Sequence, residues 1–254
     1  MATAPAASFL VTFGMGALAG AVLCAWPVLV WRAMRDLPRR RAVTARTACV
    51  ALAWLALTGG LAGAGAFARL DQVPPRLVFA IVPMFVGVVF LARSPLGHTL
   101  AMRTPLWLLV GLQAFRLPLE LVMHAAAAEG TMPPQMTFAL VDGAWGLNYD
   151  ILTGASALVL ALLVRSGRAG PRAVAIWNVA GLVLLAAIVA NAIASLPIIA
   201  AFGTDARHLN TWIAFAPFVW LPTVLVGSAL LGHLLVFRAL RAAARAGSQG
   251  LGAM

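Results

Sequence analysis

Seven apolar stretches, separated by short polar connections, run along the chain at roughly 9–31, 47–67, 77–92, 105–128, 146–164, 173–195 and 212–237. A membrane-spanning helix needs about 20 mostly apolar residues, because each residue rises about 1.5 Å and the hydrocarbon core is about 30 Å thick. The pattern therefore predicts an all-α polytopic transmembrane bundle of about seven spans, built as a single integral membrane domain over 1–254. The third stretch is the shortest. Met1 to Ser8 carries no positive charge, so the first stretch reads as a retained helix and not as a cleaved signal peptide.

Composition supports this reading. Of the 254 residues, 63% are hydrophobic and 10% charged, whereas soluble domains run at roughly 45–50% apolar and about 25% charged. The mean hydropathy of +0.97 excludes a soluble globular or disordered chain. All 18 basic residues are arginine. The absence of lysine excludes a retinal or pyridoxal Schiff base and a P-loop. A net charge of +11 in so apolar a chain reads as loops facing anionic lipid, with the bilayer as partner and no nucleic acid. Cys24 and Cys49 lack metal-motif spacing and read as small packing residues.

The arginines orient the spans. Arg32, Arg35, Arg39, Arg40, Arg41 and Arg46 follow the first span, and alternate connections hold Arg93 and Arg103, then Arg165, Arg168 and Arg172, then Arg238, Arg241 and Arg245. The opposite side has Arg69, Arg76 and Arg207, with the acids Asp71, Glu129, Asp142 and Asp205. By the positive-inside rule the arginine-rich side is cytoplasmic, which places the N-terminus outside and the C-terminus inside, in a bacterial inner membrane. Trp26, Trp31, Trp107 and Trp177 fall near inner ends, and Trp145, Tyr149 and Trp212 near outer ends, as interfacial rings do. Gly14, Gly16 and Gly20, and Gly59, Gly60, Gly63 and Gly65, permit close helix approach. Pro83, Pro118, Pro217 and Pro222 each remove a helical hydrogen bond.

Few polar groups remain at membrane depth. In the fourth span Gln113, Arg116, Glu120 and His124 lie on one helical face. Arg116 is near the middle and needs a partner, for which Glu120, one turn away, is the nearest candidate. Asn148, Asp150, Thr153 and Ser156 open the fifth span, and Asn191 lies at a similar level in the sixth. These side chains can converge on a polar site in the outer half of the bundle. Two readings stay open: a metal site from Glu120, His124 and Asp150, or a hydrogen-bonded polar cluster. His233 lies toward the opposite end from His124, so a haem between them is not expected. His233 and Asn178 read as interhelical polar contacts. The long, partly apolar connection 129–145 can lie in the interface or fold back as a lid; Pro133 and Pro134 stop it from extending the fourth helix.

The segments QAFRLPLELVMH, PPQMTF and NYDILTG, with WNVAGLVLL and APFVWLPTVLVGSALLGHLLVFR further on, resemble a family of bacterial inner-membrane proteins of about seven spans and unknown function. The likeness covers roughly the C-terminal 60% of the chain. It singles out Arg116, Glu120, His124, Met136, Thr137, Phe138, Asn148, Asp150, Gly154, Trp177, Asn178, Pro222 and His233. In the family MTF lies only a few residues before the N-[FY]-D-I motif, whereas here ALVDGAWGL intervenes. The resemblance implies fold and location but no mechanism. Three function classes are consistent with the residues: a transporter-like or ligand-binding protein that takes a small ligand or ion, a membrane-embedded metal or acid/base enzyme, and an accessory subunit. No G-x-S-x-G, H-E-x-x-H or dinucleotide fingerprint occurs.

Overall fold

A computed structural model describes residues 2–141 and 143–251, so Asp142, assigned above to the outer side, lies outside the described residues. Helix α1 (Phe9–Ala33) starts at Ser8, whose hydroxyl accepts from Val11 N at 3.3 Å. Helix α2 (Arg40–Gly63) begins about two turns before the expected 47 and ends before the expected 67. A hydropathy window closes where charge begins, but arginine is a good helix former, so the helix itself continues through the charges. The start of α2 is tied down by Arg40, which donates to Trp31 O at 2.9 Å and stacks 3.4 Å above the Trp31 ring.

Helices α3 (Val78–Arg93) and α4 (Pro95–Arg103) are bent by 63° at Ser94. The Ser94 hydroxyl caps α4, and Pro95 occupies its first turn. The fourth predicted span runs from Leu106 to Ala128 in three parts: α5 (Leu106–Gly111), a 3₁₀ turn (Leu112–Phe115) and α6 (Arg116–Ala128). A short ladder of β1 (Leu140–Val141) and β2 (Ala144–Trp145) precedes α7 (Ile151–Arg165). Helix α8 (Pro171–Ala194) follows, and a π-helical turn (Leu221–Leu225) containing Pro222 leads into α9 (Val226–Leu251).

Apart from that ladder the described structure is helical. Five helical spans are long and apolar enough to cross a membrane, or six with α3 and α4 taken as one bent span. Helix α7, at 15 residues, is shorter than the expected 146–164. Residues 146–149 lie outside any helix, and Gly146 donates to Ala139 O, Leu147 to Gln135 O and Asn148 to Thr137 O. The carbonyls of the 129–145 connection thus satisfy amides that a first helical turn would have left without partners.

Helix α9 packs against α3, α4, α5 and α8, α7 packs on α5 and α6, and α2 lies outermost against α1. The core has two parts. One, with Met15, Met123, Trp212 and Leu225, lies toward the loop-rich end, and the other, with Leu100, Leu109, Val174 and Leu235, toward the arginine-rich end. Trp212, expected at an interface, is 1% exposed and packs on Phe218. Cys24 and Cys49, expected to pack inside, are free and exposed on the apolar flank of the bundle.

Two close contacts fix the helices around the site. At Gly154 a Cβ would meet Leu117 N at 2.3 Å, so the α7 backbone lies directly on that of α6. At Gly181 a Cβ would meet the His233 ring at 2.8 Å. Gly154→Ala is expected to lower stability by about 1–3 kcal/mol through overpacking, read as the shift in thermal unfolding of the detergent-solubilised protein. At the loop-rich end the Glu129 carboxylate accepts from Ser8 N and Thr131 Oγ1, each at 3.0 Å. Burial pushes its pKa up, but these hydrogen bonds outweigh it and hold the group below its ordinary value. A depressed carboxylate contributes above its unfolded pKa and loses that contribution as pH falls through its folded pKa. Hydrogen exchange at the Ser8 amide should therefore accelerate as pH drops through the acidic carboxylate range, relative to a Glu129→Gln control whose exchange carries no such step.

Candidate functional site

Arg116 stands at the start of α6 with 1% of its surface exposed. An isolated guanidinium at this depth is costly, so its partners organise the site. Nε donates to Asp150 Oδ2 at 2.5 Å, and Nη2 donates to Asp150 Oδ1 in a bidentate pair. Nη1 lies 2.8 Å from His233 Nε2, and Nη2 also approaches Gly181 O at 3.4 Å. A guanidinium only donates, so His233 Nε2 accepts and the ring proton sits on Nδ1, facing Asn178 Oδ1 at 2.9 Å. Asn178 returns a bond from Nδ2 to His233 O at 3.1 Å. One cation thereby ties α6 to α7, α8 and α9.

The expected Arg116–Glu120 pair is not what forms. A carboxylate one turn along the same helix cannot meet a guanidinium in bidentate geometry as well as Asp150, which arrives from the facing segment. Glu120, 2% exposed, instead accepts through Oε2 from Asn148 Nδ2 at 2.7 Å. Asn148 also donates to Met136 O at 3.2 Å and accepts from Asp150 N at 3.0 Å. It therefore holds the Glu120 carboxylate and the Asp150 backbone at once. Thr153 Oγ1 donates to Asp150 Oδ1 at 3.4 Å. Arg116, Glu120, Asn148, Asp150 and Thr153 thus come together, joined by His233, which the sequence reading took only as an interhelical polar contact. The missed signal is chemical: a buried arginine uses every acceptor on the helices around it.

The remaining candidates lie elsewhere. Gln113 falls in the 3₁₀ turn and turns to α9 instead, donating to Ala229 O at 2.9 Å. His124 contacts Thr137 Oγ1 at 3.2 Å and packs near Phe138. Asn191 donates to Gln135 O at 2.7 Å. Gln135, which sequence reasoning did not single out, also reaches Ser195 Oγ and His208 O at 3.0 and 2.8 Å. These contacts hold the 129–145 connection down over the bundle end, with Met132, Met136 and Thr137 buried beneath it. Glu120, His124 and Asp150 do not converge as a metal set. Among the described residues no group of three or more His, Cys, Asp or Glu is arranged to hold a metal ion. His124 is spent on the connection and Asp150 on Arg116.

A cavity of about 140 Å³ opens beside this cluster in the loop-rich half. Its walls come from α3, α6, α8, the π turn and the start of α9, and are almost wholly apolar, among them Ile81, Phe85, Leu185, Ile188 and Leu225. Among the described residues its polar lining is Arg116, Glu120, Asp150 and Asn210. Comparison of the chain with protein-family models, curated proteins and solved structures finds no match.

The network separates two roles. Asp150→Ala leaves Arg116 buried without its main counter-charge and should cost about 3–5 kcal/mol, whereas Glu120→Gln keeps the shape and an acceptor for Asn148 and should cost under about 1 kcal/mol. Denaturation of both variants in the same detergent checks the contrast.

Proposed function

We propose that this chain is a seven-span inner-membrane protein of bacteria that binds a small ligand in the cavity beside Arg116, Glu120 and Asp150, in the manner of a transporter or membrane receptor. Seven crossings are counted by adding the short α7 to the long spans. Non-helical backbone at 146–150, whose amides at 146–148 are hydrogen-bonded to the 129–145 connection, supplies the length that 15 helical residues lack, at about 22 Å against a core of about 30 Å. Fourteen arginines on one side favour an outside N-terminus and a cytoplasmic C-terminus. The resemblance to polytopic inner-membrane proteins points the same way.

One observation carries the ligand reading: an apolar cavity ends on a buried carboxylate, Glu120, whose second oxygen accepts no hydrogen bond among the described residues. A purely structural cluster would satisfy both oxygens, as Asp150 does. Ionisable groups on broken backbone at membrane depth are also the usual form of a transport or binding site. The accessory reading keeps one specific support, the full set of bonds around Arg116. That pair is better taken as the scaffold that holds Glu120 in place.

The test is native mass spectrometry of protein released gently from its own membranes, alongside Leu185→Trp, which fills the cavity. A small bound molecule is expected on the wild type and missing from the variant. A wild type that carries nothing, and that toluene does not stabilise against thermal unfolding, would sink the ligand reading. A C-terminal reporter active only outside the cytoplasm would reverse the orientation.

A further inference from the structure

The chemistry lining the cavity narrows what can occupy it. Two buried side chains in its lining carry unmatched acceptors. Glu120 Oε1 accepts no hydrogen bond among the described residues, since Asn148 binds only Oε2. Asn210, 0% exposed, spends its Nδ2 on Ala192 O at 3.0 Å, and its Oδ1 is buried with no partner among the described residues. An unmatched buried acceptor is costly, so a molecule that donates hydrogen bonds is complementary to both.

Charge points the same way. Arg116 faces Asp150 and Glu120, while the His233 nitrogen that meets it is an acceptor and hence neutral. With Glu120 ionised, one cation against two carboxylates leaves a formal excess of one negative charge, which burial at this depth disfavours until a counter-cation arrives. Arg116 is already committed to Asp150 in bidentate geometry, so an added carboxylate or phosphate would meet Glu120 without a free counter-charge. An added monocation removes the excess.

Shape and access complete the assignment. A cavity of about 140 Å³ is close to the size that holds one benzene-like body. Its lining includes Ile193, which is 49% exposed on α8, and Ile81 on α3. An exposed apolar lining residue on the flank of a membrane-spanning helix meets hydrocarbon, the medium from which an amphiphile arrives. Resting on the ligand-binding reading above, we propose that the cavity takes an organic ammonium: an apolar body of about benzene size or the head of an alkyl chain, with its N–H donors on Glu120 Oε1 and Asn210 Oδ1, admitted laterally between α3 and α8.

The test uses the full chain in lipid nanodiscs at neutral pH, with four probes of matched size: benzylamine, benzyl alcohol, toluene and benzoate. Binding is read by calorimetry and by shift in thermal unfolding. Benzylamine should bind at least about tenfold more tightly than benzyl alcohol or toluene, since a charge-assisted hydrogen bond exceeds a neutral one by that order, and benzoate should bind most weakly. Glu120→Gln should erase the preference for the amine while leaving toluene binding unchanged. Should that variant fail to fold, Asn210→Leu, which removes the second acceptor, should reduce the preference severalfold, and Leu185→Trp should remove all binding. Toluene bound with no preference for benzylamine would overturn the ammonium assignment and leave the cavity reading standing. No binding of any probe would overturn both. Benzoate binding as tightly as benzylamine would show that Arg116, and not Glu120, sets the charge preference, and would also overturn the assignment.

Discussion

The structure depends on satisfying one positive charge in a medium that cannot solvate it. A guanidinium at membrane depth is tolerated only when its N–H groups meet acceptors within the protein. Arg116 reaches Asp150 twice, then His233 and the carbonyl of Gly181. Those acceptors belong to three different helical segments. The requirement to satisfy Arg116 therefore becomes a requirement on how α6, α7, α8 and α9 sit together. Glycines at 154 and 181 make that arrangement sterically possible, since any Cβ there would strike the α6 backbone or the His233 ring.

A second constraint follows from the first. Asp150 can face Arg116 because the chain before it is not helical. Had the fifth span begun near 146, Asn148 and Asp150 would have stood about 200° apart around a helix and could not have served one site. The non-helical run 146–149 frees both side chains, and the 129–145 connection satisfies its backbone. Folding that connection over the bundle end is thus part of building the site. The Gln135, Asn191 and Ser195 bonds that hold it down act on Glu120 through Asn148, which also binds Met136 O in the same connection.

Much of the helical architecture was legible in the apolar windows, because hydrocarbon thickness imposes a length and composition that few sequences meet by chance. The ends of the helices were less legible: Arg40 to Arg46 continue α2 beyond its apolar part, and the backbone of 146–149 is diverted by partners distant in sequence. The polar residues of the site were found for the right reason, since charge at membrane depth is costly. Their pairing was not readable. Spacing along one helix nominates Glu120 for Arg116, whereas Asp150 and His233 come from segments whose rotation and depth depend on tertiary packing. Gln113 likewise leaves the stripe because its amide is held by Ala229 O on α9, a partner 116 positions away that spacing does not announce. Asn210 and Gln135 carried no visible signal, being single amides in stretches read as loop or lid.

The two carboxylates end in unequal states because they are unequally placed on the backbone. Asp150, at the helix start, is drawn into a bidentate pair and spends both oxygens. Glu120, on the regular part of α6, points from the same wall toward the cavity, with Asn148 holding one oxygen and leaving the other directed at apolar space. Replacing Glu120 by a residue that packs would remove the excess charge and fill part of the void, and on packing grounds alone it would favour the fold. Keeping a carboxyl oxygen without a partner there works against stability, a cost that a bound ammonium of the proposed kind would offset.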